Sequence, residues 1–132
     1  MTVILKTIDQ VPGAPTVEGP LLSFEIGLIT AREIIRARVA AEVERYNSGR
    51  QPRQFAGLLQ PPPQEQRLNP KRPELPKPLD VERQIEVALE AVRAGRVILL
   101  FNGEQVDDID APLIVTPVSE ARFLKLVPLV GG

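Results

Sequence analysis

The 132-residue chain contains no cysteine, no histidine and no tryptophan. Without cysteine it can form no disulfide and has no thiol nucleophile, and a Cys/His zinc site is excluded. Without histidine it lacks the side chain that most often performs acid–base chemistry near neutral pH. Catalysis by the chain itself would depend on carboxylates, lysines, three serines and one tyrosine. We therefore expect a protein that enzymes act on, not an enzyme, with no metal and no cofactor.

Excess charge of one sign is also missing. Sixteen Lys and Arg residues against 17 Asp and Glu residues give a formal net charge of −1. This balance argues against nucleic acid or an anionic membrane as a partner. No apolar run approaches the ~20 residues that cross a bilayer. The first ten residues lack the basic start and cleavage site of a signal peptide. We expect a cytoplasmic protein that forms a single domain over residues 1–132.

The first quarter of the chain predicts a β-hairpin. Thr2–Ile8 is rich in β-branched residues, which are typical of strands. Pro and Gly are dense in Val11–Pro20, which indicates a turn or long loop. Leu22–Ile26 alternates apolar and polar residues, as in a strand with one buried face.

A capping box marks the start of a helix. Thr30 stands three residues before Glu33, so each side chain can bind the backbone N–H of the other residue. An apolar stripe with helical spacing follows, and 47–49 ends the helix. The stripe comprises Ala31, Ile34, Ile35, Val39, Val43 and Tyr46, and we expect Arg32, Arg36, Glu42 and Arg45 on the outer face.

Proline is abundant in one segment. Eight of the 14 prolines lie in 49–79, where their density disfavours helices and central strands and favours extended chain. We interpret 49–79 as a proline-rich insertion that forms a surface loop. A second helix follows, with Asp80 as its cap and Gly95 as its stop. Its predicted stripe is Val81, Ile85, Ala88, Leu89 and Val92.

The last third predicts short paired strands and a tail. The apolar run Val97–Phe101 indicates a buried strand, and Asn102-Gly103 is a strong hairpin turn signal. Glu104–Val106 would return as a brief edge strand, and Leu113–Val115 would be a further extended piece. Ala121–Val127 predicts the last strand. Pro128 would end its pairing and leave 128–132 as a flexible C-terminal tail.

The tail ends in Gly131-Gly132. Glycine has no side chain to block a narrow channel, and a terminal glycine carbonyl can be approached from any direction. Such a terminus suits a carboxylate that is activated and joined to another molecule.

The order of these elements and two stretches resemble the ubiquitin-like family. The stretch 97–108 resembles the part in which an apolar strand meets a glycine turn and a Gln-aliphatic-acidic return. The stretch 119–132 resembles the closing strand and diglycine tail, and residues 2–47 match more loosely. The resemblance implies an α+β fold of β-grasp type, with a mixed sheet over one main helix, to which this chain adds the insertion and a second helix.

The resemblance also implies a function, closest to that of bacterial ubiquitin-like modifiers, several of which act in antiviral defence. An ATP-dependent activating enzyme would adenylate Gly132, and a conjugating enzyme would transfer it to target proteins, from which a deconjugating peptidase removes it. Gly131 and Gly132 would form the conjugation site. The residues expected to bind partner enzymes are Leu124, Leu126, Leu129 and Val130.

Other interpretations remain open at this stage. The chain could be a sulfur carrier with a C-terminal thiocarboxylate, or an adaptor or assembly module that is never conjugated. An enzyme using the carboxylate pair Asp107 and Asp108 is a fourth possibility, although adjacent acids in a turn are usually solvated. The last strand also has two possible registers. Either Lys125 faces inward and extends its charged end to solvent, or the strand is shifted by one residue.

Overall fold

The computed structural model describes residues 2–25, 27–49 and 78–126. Within these ranges the protein has an α+β fold with two helices and eight strands. The elements are β1 (Thr2–Gln10), β2 (Val17–Glu18), β3 (Leu22–Glu25), β4 (Gly27–Thr30), α1 (Ala31–Gly49), α2 (Val81–Arg93), β5 (Val97–Phe101), β6 (Glu104–Gln105), β7 (Pro112–Val115) and β8 (Glu120–Lys125).

The main sheet is mixed, with the order β2–β1–β8–β5–β6. β3 pairs with β1 in antiparallel fashion, which confirms the predicted hairpin. β8 lies between β1, to which it is parallel, and β5, to which it is antiparallel. The last described strand is therefore held on one side by the first strand of the chain and on the other side by β5.

The core lies between one face of this sheet and the two helices. Along β1, β5 and β8 alternate residues face the helices, and the apolar ones among them join apolar side chains of the helices in one hydrophobic cluster. The predicted stripes are confirmed for Ala31, Ile34, Ile35, Val39 and Val43 on α1 and for Ile85, Ala88 and Leu89 on α2. Neither of the two described helices is long and apolar enough to cross a membrane.

The capping box at the start of α1 is formed as predicted. The backbone N–H of Glu33 donates to Thr30 Oγ1 at 3.2 Å, and the backbone N–H of Thr30 donates to Glu33 Oε2 at 2.7 Å. Two backbone donors at the helix start are thereby satisfied.

Replacing Thr30 by alanine removes one of these bonds. We expect Thr30→Ala to lower the free energy of unfolding by about 1 kcal/mol, measured by urea denaturation followed by circular dichroism. The matched control is Thr2→Ala, because the Thr2 hydroxyl makes only an exposed hydrogen bond with Glu25. An equal loss in both variants would contradict the capping role.

The predicted turn residues adopt the backbone conformations that their positions require. Asn102 and Gly103 have φ values of 51° and 86°, as in a type I′ hairpin turn between β5 and β6. Gly95 has a φ of 75° just after the C-cap Ala94, and it ends α2 as predicted.

A second sheet was not predicted. β4 pairs with β7 in antiparallel fashion, with Leu28 opposite Ile114. Only the extended piece 113–115 was predicted from the sequence, because β4 follows β3 closely and its partner is distant in the chain. This two-stranded sheet is linked to α1 by a hydrogen-bonded ion pair. Arg32 on α1 donates to both carboxylate oxygens of Asp110, just before β7, at 2.7 and 3.0 Å. These bonds hold the pKa of Asp110 below its ordinary value.

Hydrogen bonds connect the end of α1 to the residues just before α2. The side-chain amide of Asn47 accepts from the backbone N–H of Leu79 at 2.8 Å and donates to the Leu79 carbonyl at 3.1 Å. The predicted insertion 49–79 thus starts and ends at neighbouring points. Its residues 50–77 lie outside the described part of the chain.

Candidate functional site at the end of the last strand

The predicted site residues follow one another along β8 and beyond it. Leu124 and Leu126 belong to the described chain, whereas Leu129, Val130, Gly131 and Gly132 lie outside it, as does the predicted tail 128–132. Side chains alternate along the strand, with Ala121 and Phe123 buried, Leu124 half-buried and Leu126 43% exposed. Leu124 and Leu126 therefore lie on the face of the sheet opposite the helices.

Apolar side chains of neighbouring strands lie beside these two leucines. Leu124 is directly opposite Ile98 on β5, while Arg122 stands between Leu100 on β5 and Ile8 on β1. All four apolar side chains in these two rows are half-buried. We name the set the outer apolar patch, which comprises Ile8, Ile98, Leu100, Leu124 and Leu126.

The prediction that Val97–Phe101 is a buried strand was only half right. Val97, Leu99 and Phe101 are buried, but Ile98 and Leu100 are half-buried on the outer face. Both helices pack on one side of the sheet, so alternate residues of this apolar run must face outward. Ile98 and Leu100 were consequently missed as site residues.

Lys125 occupies the inward register. The position after Phe123 on the core face belongs to Lys125, and its side chain is only 20% exposed. Its Nζ lies 3.8 Å from Asp9 Oδ2, at the end of β1. The charged end therefore reaches a carboxylate at the margin of the core, as expected for a lysine whose stem is covered.

Arg38 on α1 is the most unusual side chain beneath this end of the sheet. It is 2% exposed and binds Asp9 through both terminal nitrogens, with Nη2 donating to Oδ2 at 2.6 Å. Its Nε donates to Glu42 at 2.5 Å, and its Cζ lies 4.5 Å from the centre of the Phe123 ring. Burial alone lowers the pKa of Arg38, but the bonds and charges of Asp9 and Glu42 outweigh it and raise that pKa.

We name Asp9, Arg38, Glu42 and Lys125 the buried charge cluster. It holds two cations and two carboxylates, so the cluster is neutral as a whole. Ion pairs this well enclosed are screened little by solvent. The cluster joins β1, α1 and β8 at a single point below the end of the last strand.

The buried charge cluster was not predicted from the sequence. Glu42 was predicted on the outer face of α1, but its side chain is only 11% exposed, so that prediction was wrong. The available signal was spacing. Arg38 stands four residues after Ile34 and four before Glu42, which puts a charged pair inside the apolar stripe.

A cavity of about 420 Å³ opens beside the cluster. Gly19 lines it, and a Cβ at this position would lie 2.5 Å from Thr7 Oγ1. That hydroxyl donates to the Pro20 carbonyl at 2.6 Å. Among the described residues, no buried side-chain polar atom lacks a hydrogen-bond partner. The buried polar groups beside the cavity thus already have partners in the fold.

The carboxylate pair at Asp107 and Asp108 is exposed, in the connection between β6 and β7. Asp108 Oδ1 accepts from the backbone N–H of Asp110 at 2.9 Å, which is the usual role of an aspartate in a turn. No group of three or more acidic side chains in the described ranges is arranged to hold a metal ion.

No protein-family model, no curated protein and no solved structure matches this chain.

Proposed function

We propose that this protein is a ubiquitin-like modifier with a β-grasp fold, conjugated to target proteins through the carboxylate of Gly132. The observation that carries the proposal is the position of β8. It lies at the centre of the mixed sheet, parallel to β1 and antiparallel to β5, in a strand order compatible with a β-grasp. A last strand held on both sides gives a following diglycine segment a rigid base.

The proposed chemistry starts with ATP, which an activating enzyme binds. A carboxylate oxygen of Gly132 attacks the α-phosphorus of ATP, and pyrophosphate leaves. A cysteine thiolate of the enzyme then attacks the acyl adenylate, forming a thioester and releasing AMP. Finally an amine or hydroxyl of the target attacks the thioester and releases the thiolate. In this scheme the modifier itself supplies no catalytic group and binds no cofactor. We place these reactions in the cytoplasm of a bacterium.

The outer apolar patch is the proposed docking surface for these enzymes. Leu126 is 43% exposed at its margin, and Leu129 and Val130 would continue the contact toward the conjugation site. A deconjugating peptidase would use the same approach to Gly131 and Gly132. A role in antiviral defence follows from the resemblance to bacterial modifiers.

Deletion of Gly132 tests the proposal. The wild-type protein, incubated with ATP and an activating enzyme encoded in a neighbouring gene, should give a thiol-sensitive band on a non-reducing gel. Deletion moves the carboxylate back by about 3.5 Å, and we expect the initial rate of thioester formation to fall roughly 100-fold. Equal thermal unfolding of both proteins serves as the folding control.

The outcomes separate the alternatives. Mass spectrometry that finds an amide or ester to a target supports the modifier, whereas a terminal thiocarboxylate identifies a sulfur carrier. An adaptor would give no ATP-dependent band with the wild-type protein, and it would keep its cellular role when the tail is extended by several residues that cannot be trimmed. The absence of an ATP-dependent band with the wild-type protein would overturn conjugation, and so would a cellular role that is kept when the tail carries the extension.

A further inference from the structure

The backbone pairing that holds β8 ends unevenly on its two sides. On the β1 side the ladder ends at Gln10 opposite Leu124. On the β5 side it continues to Val97 opposite Lys125, and the backbone N–H of Leu126 then donates to the Arg96 carbonyl at 3.0 Å. At Leu126, just beyond β8, the backbone hydrogen bond therefore runs to the β5 side.

The buried charge cluster adds a side-chain attachment to β1. The ion pair with Asp9 joins Lys125, the last residue of β8, to β1, and Lys125 follows directly on Leu124, the last residue of β8 that is paired with β1. Asp9 is itself held by two hydrogen bonds from Arg38, whose guanidinium stacks on Phe123 two residues before Lys125. The carboxylate that receives Lys125 thus has a fixed position.

Enclosed ion pairs of this kind contribute little net stability compared with apolar packing, but they specify geometry. Only one arrangement of β1, α1 and β8 pairs all four charges, and a slip of β8 by one residue would expose Lys125 and take its charge away from Asp9. The cluster therefore favours a single exit point for the chain after Leu126.

We propose that the buried charge cluster is an anchor that sets where and in which direction the chain leaves the sheet, and so fixes the start of the tail relative to the outer apolar patch. Lys125 and Asp9 are positioning residues in this scheme, because they act through the backbone of Leu126 and do not touch the reacting atoms. This inference rests on the proposed function for its kinetic consequence but not for its structural one.

The structural arm of the test uses Lys125→Met, which removes the ammonium and keeps an unbranched stem of similar length. We expect the amide hydrogen of Leu126, measured by NMR, to exchange about tenfold faster than in the wild type. The matched control is Lys6→Met, because Lys6 Nζ also lies 3.8 Å from a carboxylate, Glu18, but in an exposed pair. Lys125→Arg should restore slow exchange. Unchanged exchange at Leu126 in Lys125→Met would overturn the anchor.

The kinetic arm measures ATP–pyrophosphate exchange by the activating enzyme. We expect kcat to fall about tenfold in Lys125→Met with little change in KM, since docking through the outer apolar patch is kept while the start of the tail is displaced relative to it. If exchange at Leu126 accelerates but the kinetics are unchanged, the anchor does not position the tail and the inference fails. If the wild type is never adenylated, conjugation fails, while the NMR arm still decides the anchor.

Discussion

Replacing Arg38 by methionine will lower the free energy of unfolding by about 3–5 kcal/mol, the usual cost of removing one partner from a buried ion pair. The substitution keeps a long apolar side chain in the core but leaves Asp9 and Glu42 without their main cation. Their side chains are 18% and 11% exposed, so water can replace only part of what is lost. Guanidinium denaturation followed by circular dichroism at pH 7 measures the loss.

Arg36→Met provides the matched comparison on the same helix. Arg36 pairs with Glu82 at 3.2 Å, but the two side chains are 46% and 63% exposed. An exposed pair of this kind contributes less than about 1 kcal/mol. If Arg38→Met and Arg36→Met are equally stable, the buried charge cluster does not have the energetic role derived from its enclosure.

Replacing Phe123 by alanine will destabilise the protein by about 3–5 kcal/mol, as expected when a large aromatic side chain is removed from a packed core. Phe123 is fully buried at the centre of β8, between β1 and β5, and its ring lies against Arg38. Since small domains are stable by only about 5–15 kcal/mol, this variant will unfold at markedly lower denaturant concentration.

Two variants separate the contributions of volume and ring. Phe123→Leu restores most of the volume, so its remaining loss reports the ring and its contact with the Arg38 cation. Phe24→Ala is the control, because Phe24 is only half-buried at the margin of the core. A loss in Phe24→Ala as large as that in Phe123→Ala would contradict the central position of Phe123. A double-mutant cycle of Phe123→Leu with Arg38→Met would measure their coupling.

Much of the secondary structure was predictable because its signals are local. The capping box between Thr30 and Glu33, the Asn102-Gly103 turn and the Gly95 stop each depend on a few adjacent residues, and all three are formed. The two apolar helix stripes were predictable for the same reason. Such signals act within one or two turns of chain and need no distant partner.

The candidate site was predictable only in part. Leu124 and Leu126 lie on the outward face of the sheet, and their role in binding enzymes stays a prediction, as does that of Gly131 and Gly132. Ile98 and Leu100 could be assigned to the outer apolar patch only from the tertiary structure. A run of five apolar residues does not reveal which of its two faces the helices cover.

By itself, the amino-acid sequence determined both helices and most of the strands and turns, and it excluded thiol and histidine chemistry through composition. Only the tertiary structure decided the parallel pairing of β1 with β8 and the two-stranded sheet of β4 and β7. It also decided the enclosure of Arg38 with Asp9, Glu42 and Lys125. The physical reason is that these features join residues far apart in the chain. An ion pair inside an apolar stripe becomes favourable only when distant strands enclose it and supply the opposite charges.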